Sequence, residues 1–140
     1  MRANKFVLFL LPLSALCGCA AEESILGKWK MALNQQGVSG DIILDYRADG
    51  TLEANFEADQ GVNIKISYTY VRSGNKITTT LKSTEASGPL VESNPQYKQE
   101  IENRSKDRIG RTESMTFEIK GDQMIVTPPD KKKVTLTRVK

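Results

Sequence analysis

Apolar and polar side chains alternate along residues 62–70, which have the sequence VNIKISYTY. The apolar residues share one parity, and those between them are polar or charged; the apolar set is Val62, Ile64, Ile66, Tyr68 and Tyr70. Successive side chains of a β-strand point to opposite faces of the sheet. This stretch therefore predicts a strand with one buried face and one solvated face.

The same alternation recurs along the chain from Ile25 onward. It predicts seven further strands, with the inward positions Ile25 to Leu33, Ile42/Leu44/Tyr46, Leu52/Ala54/Phe56, Ile77/Thr79/Leu81, Met115/Phe117/Ile119, Met124/Val126 and Val134/Leu136. Turn-forming residues separate most of these strands, at 48–50, 59–61, 72–75, 121–122 and 128–130. Eight strands with close sequential connections predict an all-β fold, an eight-stranded antiparallel up-and-down barrel that holds side chains or one small ligand.

One long connection, residues 84–114, interrupts this rhythm between strands five and six. Asn94 followed by Pro95 is typical of an N-cap and a first helical residue. Ile101 lies on the thin apolar face of the segment, and Gly110 is suited to end a helix. We therefore expect one short helix between strands five and six, on the barrel surface or across one end.

The N-terminus has the layout of a secretory signal. Arg2 and Lys5 precede an uncharged, mostly apolar run from Phe6 to Leu16. A basic start, a short apolar run and then small residues are typical of a cleaved signal peptide. The run is shorter than the roughly 20 residues of a membrane-spanning helix.

The end of this segment, Leu16-Cys17-Gly18-Cys19, resembles a bacterial lipobox. The resemblance implies a diacylglycerol thioether on Cys19, cleavage after Gly18 and acylation of the new N-terminus. In a host with two membranes, Ala20 implies sorting to the outer membrane, facing the periplasm or the cell surface. Two acyl chains already give a stable membrane anchor. The expected organisation is a lipoprotein signal peptide at 1–18, a tether at 19–24 and a barrel domain at 25–140.

Three alternatives for the two cysteines remain open. An ordinary cleaved signal would leave them incidental, and a disulfide between Cys17 and Cys19 would close a strained small loop. A metal pair is disfavoured because a closed zinc site needs about four ligands and the chain has no histidine. We expect no metal and no cofactor.

Charge and composition exclude several classes of function. Without Arg2 and Lys5 the mature chain has 18 basic and 17 acidic side chains, and it contains no nucleic-acid-binding motif, so no nucleic-acid partner is expected. Because histidine is absent and Cys19 is assigned to lipidation, an enzyme is not expected. The Lys131 to Lys133 run follows Pro-Pro-Asp and is interpreted as a solvated turn.

Residues 25 to 140 resemble bacterial lipocalin-like domains, within the calycin class of barrels. The resemblance lies in ILGKWKM, DYRADGTLEANF, RSGNKI, EIKGDQMIV and VTLTRV. It implies that Gly27, Trp29 and Arg138 close one end of the barrel, with the Arg138 guanidinium packed across the Trp29 ring.

The resemblance implies a membrane-anchored barrel that binds a small apolar or amphipathic ligand. Candidate lining residues are Tyr46, Phe56, Ile66, Tyr68, Tyr70 and Phe117, which are equally suited to a plain core. The alternative is a protein-interaction lipoprotein, either an envelope inhibitor or an assembly accessory factor. In that case the barrel would be solid and the contact would lie on residues 85–113, with an unknown protein partner.

Overall fold

The eight predicted strands form one antiparallel sheet that closes into a barrel, in which each strand pairs with the next and β8 returns to β1. This is seen in a computed structural model of the protein, which describes residues 23–35, 38–58 and 61–140. The prediction of an eight-stranded up-and-down barrel is therefore confirmed. The expected signal peptide and Cys19 lie outside the described residues.

The strands and helices follow one another along the chain with mostly short connections. Their bounds are β1 Gly27–Gln35, β2 Val38–Tyr46, β3 Thr51–Ala58, β4 Val62–Ser73, β5 Lys76–Ser87, α1 Pro89–Glu92, α2 Pro95–Lys106, β6 Thr112–Lys120, β7 Gln123–Thr127 and β8 Val134–Arg138. The expected helix is α2. The one-turn helix α1, which the sequence pattern did not predict, precedes it.

The capping signal before α2 acts as predicted. The Asn94 side-chain oxygen accepts a hydrogen bond from the Tyr97 amide at 3.3 Å, and Pro95 is the first helical residue. The helix ends at Lys106, before the expected stop at Gly110. Gly110 has φ +81° and its amide donates to the Leu81 carbonyl at 2.9 Å, so this glycine returns the chain to β5.

Strand β5 is longer than the alternation predicted. It runs to Ser87 instead of ending near Leu81, and a β-bulge interrupts its pairing with β4. Ser67 pairs with Ser83 whereas Tyr68 pairs with Leu81, so Lys82 is the extra residue. Because a bulge shifts the inward parity by one, the period-two pattern is lost at this point.

The two ends of the barrel differ. β1 begins and β8 ends at what we call the closed end, which also carries the β2–β3, β4–β5 and β6–β7 turns. The opposite end, here the helix end, carries α1 and α2. The closed half is filled by the closed-end core, made of Ile25, Trp29, Tyr46, Leu52, Ile77, Phe117, Met124, Val126 and Leu136.

A smaller core lies at the helix end. Val62 and Ala86 pack there beneath Val91 of α1, with Ile64 and Ile101 partly buried around them. Ile101 is thus an α2 residue that packs the helix against the barrel. The two cores leave the middle of the barrel, beside the β5 bulge, to be lined by other side chains.

Candidate functional site: the closed end and the α2 pocket

The seam between β1 and β8 is short, and its main contact is between Trp29 and Arg138. These two residues pair in register, with Lys30 and Thr137 as the next pair. The Trp29 ring is fully buried, and the Arg138 guanidinium carbon lies 4.1 Å from its centroid. A cation over an indole face contributes roughly 0.5–2 kcal/mol.

The same two side chains hold the residues that precede β1. Arg138 Nη1 donates to the Leu26 carbonyl and Nη2 to the Ser24 carbonyl, both at 2.9 Å. Trp29 Nε1 donates to the Ile25 carbonyl at 2.8 Å. We call residues 23–26 the strap, because this segment crosses the closed end and is fixed there by side chains of β1 and β8.

Gly27 gives the strap its path into β1. Its φ of +106° lies in a region that residues with a Cβ rarely adopt. A Cβ at this position would lie 3.5 Å from Arg138 Nη1, so the site has room for a methyl group but its backbone disfavours one. Gly27, Trp29 and Arg138, which the family resemblance singled out, therefore lie together.

Three of the six candidate ligand-lining residues are packed into the closed half. Tyr46 and Phe117 are buried, and the rings of Tyr46 and Tyr70 meet edge to face with centroids 5.2 Å apart. The Tyr70 hydroxyl donates to the Arg47 carbonyl at 2.7 Å. Burial, reinforced by Tyr70 and Tyr68, raises the pKa of Tyr46 to about 12. These rings act as core.

Phe56 also lies apart from the cavity described below. It pairs with Ile42 on β2 and Ile64 on β4, and its ring lies against Gly40. A Cβ at Gly40 would meet the Glu57 carbonyl oxygen and the Phe56 ring. The glycine therefore permits the close approach of β2 and β3 over this aromatic side chain.

The other two candidates, Ile66 and Tyr68, line a cavity of about 90 Å³ that we call the α2 pocket. Its remaining walls come from β5, α2, the turn after α2 and β6: Thr79, Leu81, Thr84, Ser105, Arg108, Arg111 and Glu113. The pocket is thus formed by the inward faces of three strands together with the C-terminal part of the helical excursion.

The pocket exists because β5 and β6 separate. Their pairing ends at Thr80 with Thr112, while β5 continues for several residues beside α2. The Leu81 amide donates to the Arg111 carbonyl at 3.3 Å, which holds the returning chain near the bulge. The Ala86 amide donates to Glu102 Oε1 at 3.3 Å and ties α2 to the end of β5. Between these contacts the barrel wall has a gap where β5 and β6 are not paired, and α2 covers this gap.

The pocket is amphipathic. Ile66, Tyr68 and Leu81 supply apolar surface, whereas two arginines and one glutamate lie at the rim. Arg108 Nη2 lies 3.2 Å from Glu113 Oε1, so this pair is largely neutralised. Arg111 adds one positive charge beside it. The rim therefore favours an anion.

Two polar groups inside the pocket are affected by burial. Thr84 Oγ1 is buried and has no hydrogen-bond partner among the described residues. An unsatisfied buried hydroxyl costs roughly 1–3 kcal/mol. Burial also raises the pKa of Tyr68, an effect that Arg108 opposes and Glu113 reinforces. Tyr68 therefore stays neutral and can donate a hydrogen bond at neutral pH.

The sequence pattern missed most of the polar wall. Arg108 and Arg111 belong to a run of mixed charges that is typical of an exposed helix face, and Thr84 falls in the predicted loop. The one available signal is the break in alternation after Leu81, where Lys82 is inserted.

Residues 23–35, 38–58 and 61–140 contain no group of three or more histidine, cysteine, aspartate or glutamate side chains placed to hold a metal ion. Within those ranges no helix has the length and apolar character needed to span a membrane. No protein-family model matches the chain, and no curated protein matches it either.

Proposed function

We propose that this chain is a lipoprotein of the bacterial cell envelope whose lipocalin-like barrel binds a small amphipathic anion in the α2 pocket. The observation that carries this proposal is the pocket's composition: an apolar floor, a positive rim and a buried hydroxyl that has no partner in the described part of the chain. These three features match a carboxylate or similar anion attached to a short apolar group. The role is binding and not catalysis.

The size of the pocket limits the ligand. An engineered apolar cavity of about 150 Å³ binds benzene, so 90 Å³ corresponds to roughly four buried carbon atoms. Each buried methylene contributes about 0.8 kcal/mol. A ligand with a short tail and a charged head at the rim fits, whereas most of a long-chain fatty acid would lie outside a pocket of this volume.

The membrane tether rests on the N-terminal sequence. The Leu16-Cys17-Gly18-Cys19 pattern supports lipidation at Cys19, and Ala20 supports the outer membrane as the destination. The mass of the mature N-terminus tests this part separately. Cleavage after Gly18 with acyl chains on Cys19 supports it, and an unmodified cysteine contradicts it.

Binding is tested with straight-chain carboxylates from propionate to octanoate, added to the mature protein in lipid nanodiscs. Saturation transfer from protein to ligand is measured by ligand-observed NMR, with empty nanodiscs as the background. We expect the signal to be strongest for acids with about four tail carbons and to fall for longer tails. Transfer that rises steadily with tail length, or that is absent throughout, contradicts the proposed site.

Two variants and one control locate the binding. Leu81→Trp fills the pocket, and Arg111→Gln removes its excess charge. Arg104→Gln is the matched control, because Arg104 is exposed on α2 and pairs with Glu100 at 2.6 Å, away from the pocket lining. Both pocket variants should lose most of the transfer and the control should retain it. An equal loss in all three variants would remove the support for this site.

A protein-interaction lipoprotein is the second candidate function. It is favoured by Leu90 and Tyr97, which are 40% and 39% exposed on the neighbouring helices α1 and α2. Cross-linking in cells from position 97 tests it, with position 135, exposed on β8, as a control. A defined adduct from position 97 alone supports this function.

A further inference from the structure

The direction in which the chain leaves the barrel is fixed up to the first described residue. Arg72 Nη1 donates to the Glu23 carbonyl at 3.0 Å, and Arg138 and Trp29 hold the rest of the strap. Ile25, in its middle, is buried to 3% exposure. The strap is therefore part of the folded closed end.

The distance from the strap to Cys19 is short. Three residues lie between Cys19 and Glu23, which makes four Cα-to-Cα steps, so the two Cα atoms are at most about 14 Å apart even in a fully extended chain. A lipid anchor on Cys19 would hold the closed end within that distance of the bilayer surface. Among the described residues, the helix end has no comparable point of attachment to the bilayer.

Charge is distributed unevenly between the two ends. At the closed end, residues 23–28, 45–52, 71–77, 119–124 and 137–140 carry seven basic and four acidic side chains, a balance of +3. At the helix end, residues 33–35, 38–41, 57–58, 61–63, 85–113 and 127–134 carry eight basic and nine acidic ones, a balance of −1. A basic side chain near an anionic bilayer contributes about 1 kcal/mol.

Apolar side chains accompany the basic ones at the closed end. Leu26 and Val139 are each 41% exposed beside the seam, where the Val139 amide donates to the Lys28 carbonyl at 2.9 Å. Val71, near the end of β4, is 70% exposed. Exposed apolar residues among cations suit the interface of an anionic membrane.

We propose that the closed end is a membrane-contacting surface that rests on anionic phospholipid, with Leu26 and Val139 at the headgroup level. This inference rests on the proposed lipid anchor at Cys19. The closed-end core lies between this surface and the α2 pocket, so the bilayer has no route to the pocket through the closed end. The ligand therefore enters from the aqueous side. The Lys131 to Lys133 run lies at the opposite end, away from the bilayer.

The test uses the mature lipidated protein in phosphatidylethanolamine vesicles containing phosphatidylglycerol. With Cys19 blocked by lipid, a single new cysteine at Val139→Cys or Lys132→Cys takes a fluorescent label. Nitroxide groups on lipid headgroups then quench labels close to the surface. We expect quenching at position 139 to be several-fold stronger than at position 132, and to weaken when phosphatidylglycerol is omitted.

Flotation of the vesicles separates two kinds of failure. Protein that floats but shows equal quenching at both positions, or stronger quenching at position 132, overturns the membrane-contacting surface and leaves the anchor intact. Protein that does not float overturns the anchor and this inference together. A Lys76→Gln/Lys120→Gln double variant should float normally and show a smaller quenching difference, and an unchanged difference argues against the role of charge.

Discussion

The Arg138 guanidinium carbon lies 4.1 Å from the centroid of the Trp29 ring, so the last residue of β8 covers the first buried aromatic residue of β1. Only one further register pair, Lys30 with Thr137, joins the two strands. The pair therefore seals a seam that the backbone alone closes over a short length. Arg138 also fixes the strap, because its guanidinium donates two hydrogen bonds to strap carbonyl groups.

Replacing Arg138 should destabilise the barrel. In Arg138→Lys the planar contact with Trp29 and the two-pronged donation to Ser24 and Leu26 are lost, and we expect the free energy of unfolding to fall by about 2 kcal/mol. Lys140→Gln is the control, since its exposed ion pair with Asp122 is worth about 0–1 kcal/mol. Urea denaturation measures both. Equal effects of the two variants would contradict a sealing role.

Alkaline pH should destabilise the protein through Tyr46. Its pKa is about 12 in the fold because the ring is buried, against an ordinary value of 10.0. As pH rises, the Tyr46 hydroxyl therefore loses its proton in the unfolded state before it does so in the folded state. The free energy of unfolding falls by roughly 3 kcal/mol between about pH 10 and pH 12. Tyr46→Phe should remove this part of the pH dependence. Denaturation profiles of the two proteins that stay parallel across this range would contradict the assignment.

Thr84→Val should increase stability while weakening ligand binding. The valine methyl group replaces a buried hydroxyl for which residues 23–35, 38–58 and 61–140 offer no partner, so the free energy of unfolding should rise by about 1 kcal/mol. The ligand loses the hydrogen bond that this hydroxyl would supply. The control is Thr80→Val. Thr80 precedes the Lys82 bulge and lies at an outward-facing position of β5, so this variant should change neither stability nor ligand binding appreciably. A Thr84→Val variant that is less stable would show that the hydroxyl is satisfied.

Helix α2 should depend on its N-cap. Asn94→Ala removes the side-chain acceptor for the Tyr97 amide and should weaken the helix by about 1 kcal/mol. Asn103→Ala, in the helix interior, should instead stabilise it by about 0.5 kcal/mol through higher helix propensity. Amide hydrogen exchange of α2 measures both changes. Because α2 supplies the pocket wall at Ser105, carboxylate binding should weaken in Asn94→Ala alone.

The barrel could be predicted from sequence because its determinants are local. Alternating side chains mark the strands, and Gly, Asn and Asp mark the turns between them. The α2 pocket could not be predicted in this way. The Lys82 bulge shifts the inward parity of β5, and the pocket brings Thr84 beside Arg108 and Arg111, which lie more than twenty residues further along the chain. These contacts depend on the point at which β6 separates from β5, and the alternation of side chains along a strand does not indicate that point.

The candidate lining residues show the same division. The alternation of apolar and polar residues correctly predicted that the side chains of Tyr46, Tyr70 and Phe117 face inward. The same alternation does not distinguish a ring packed in the core from one that lines a pocket. That distinction depends on depth in the barrel. Tyr46 and Phe117 belong to the closed-end core, and Tyr70 packs against it, whereas Tyr68 both packs against this core and, with Ile66, lines the α2 pocket.

Binding in the α2 pocket is tested by a methyl NMR titration of the mature protein with pentanoate. Assigned resonances of Ile66 and Leu81, which line the α2 pocket, should shift together and saturate. Those of Leu136 and Val126, in the closed-end core, should stay in place. Shifts confined to the closed-end core, or no saturable shift at Ile66 and Leu81, would contradict the α2 pocket as the binding site.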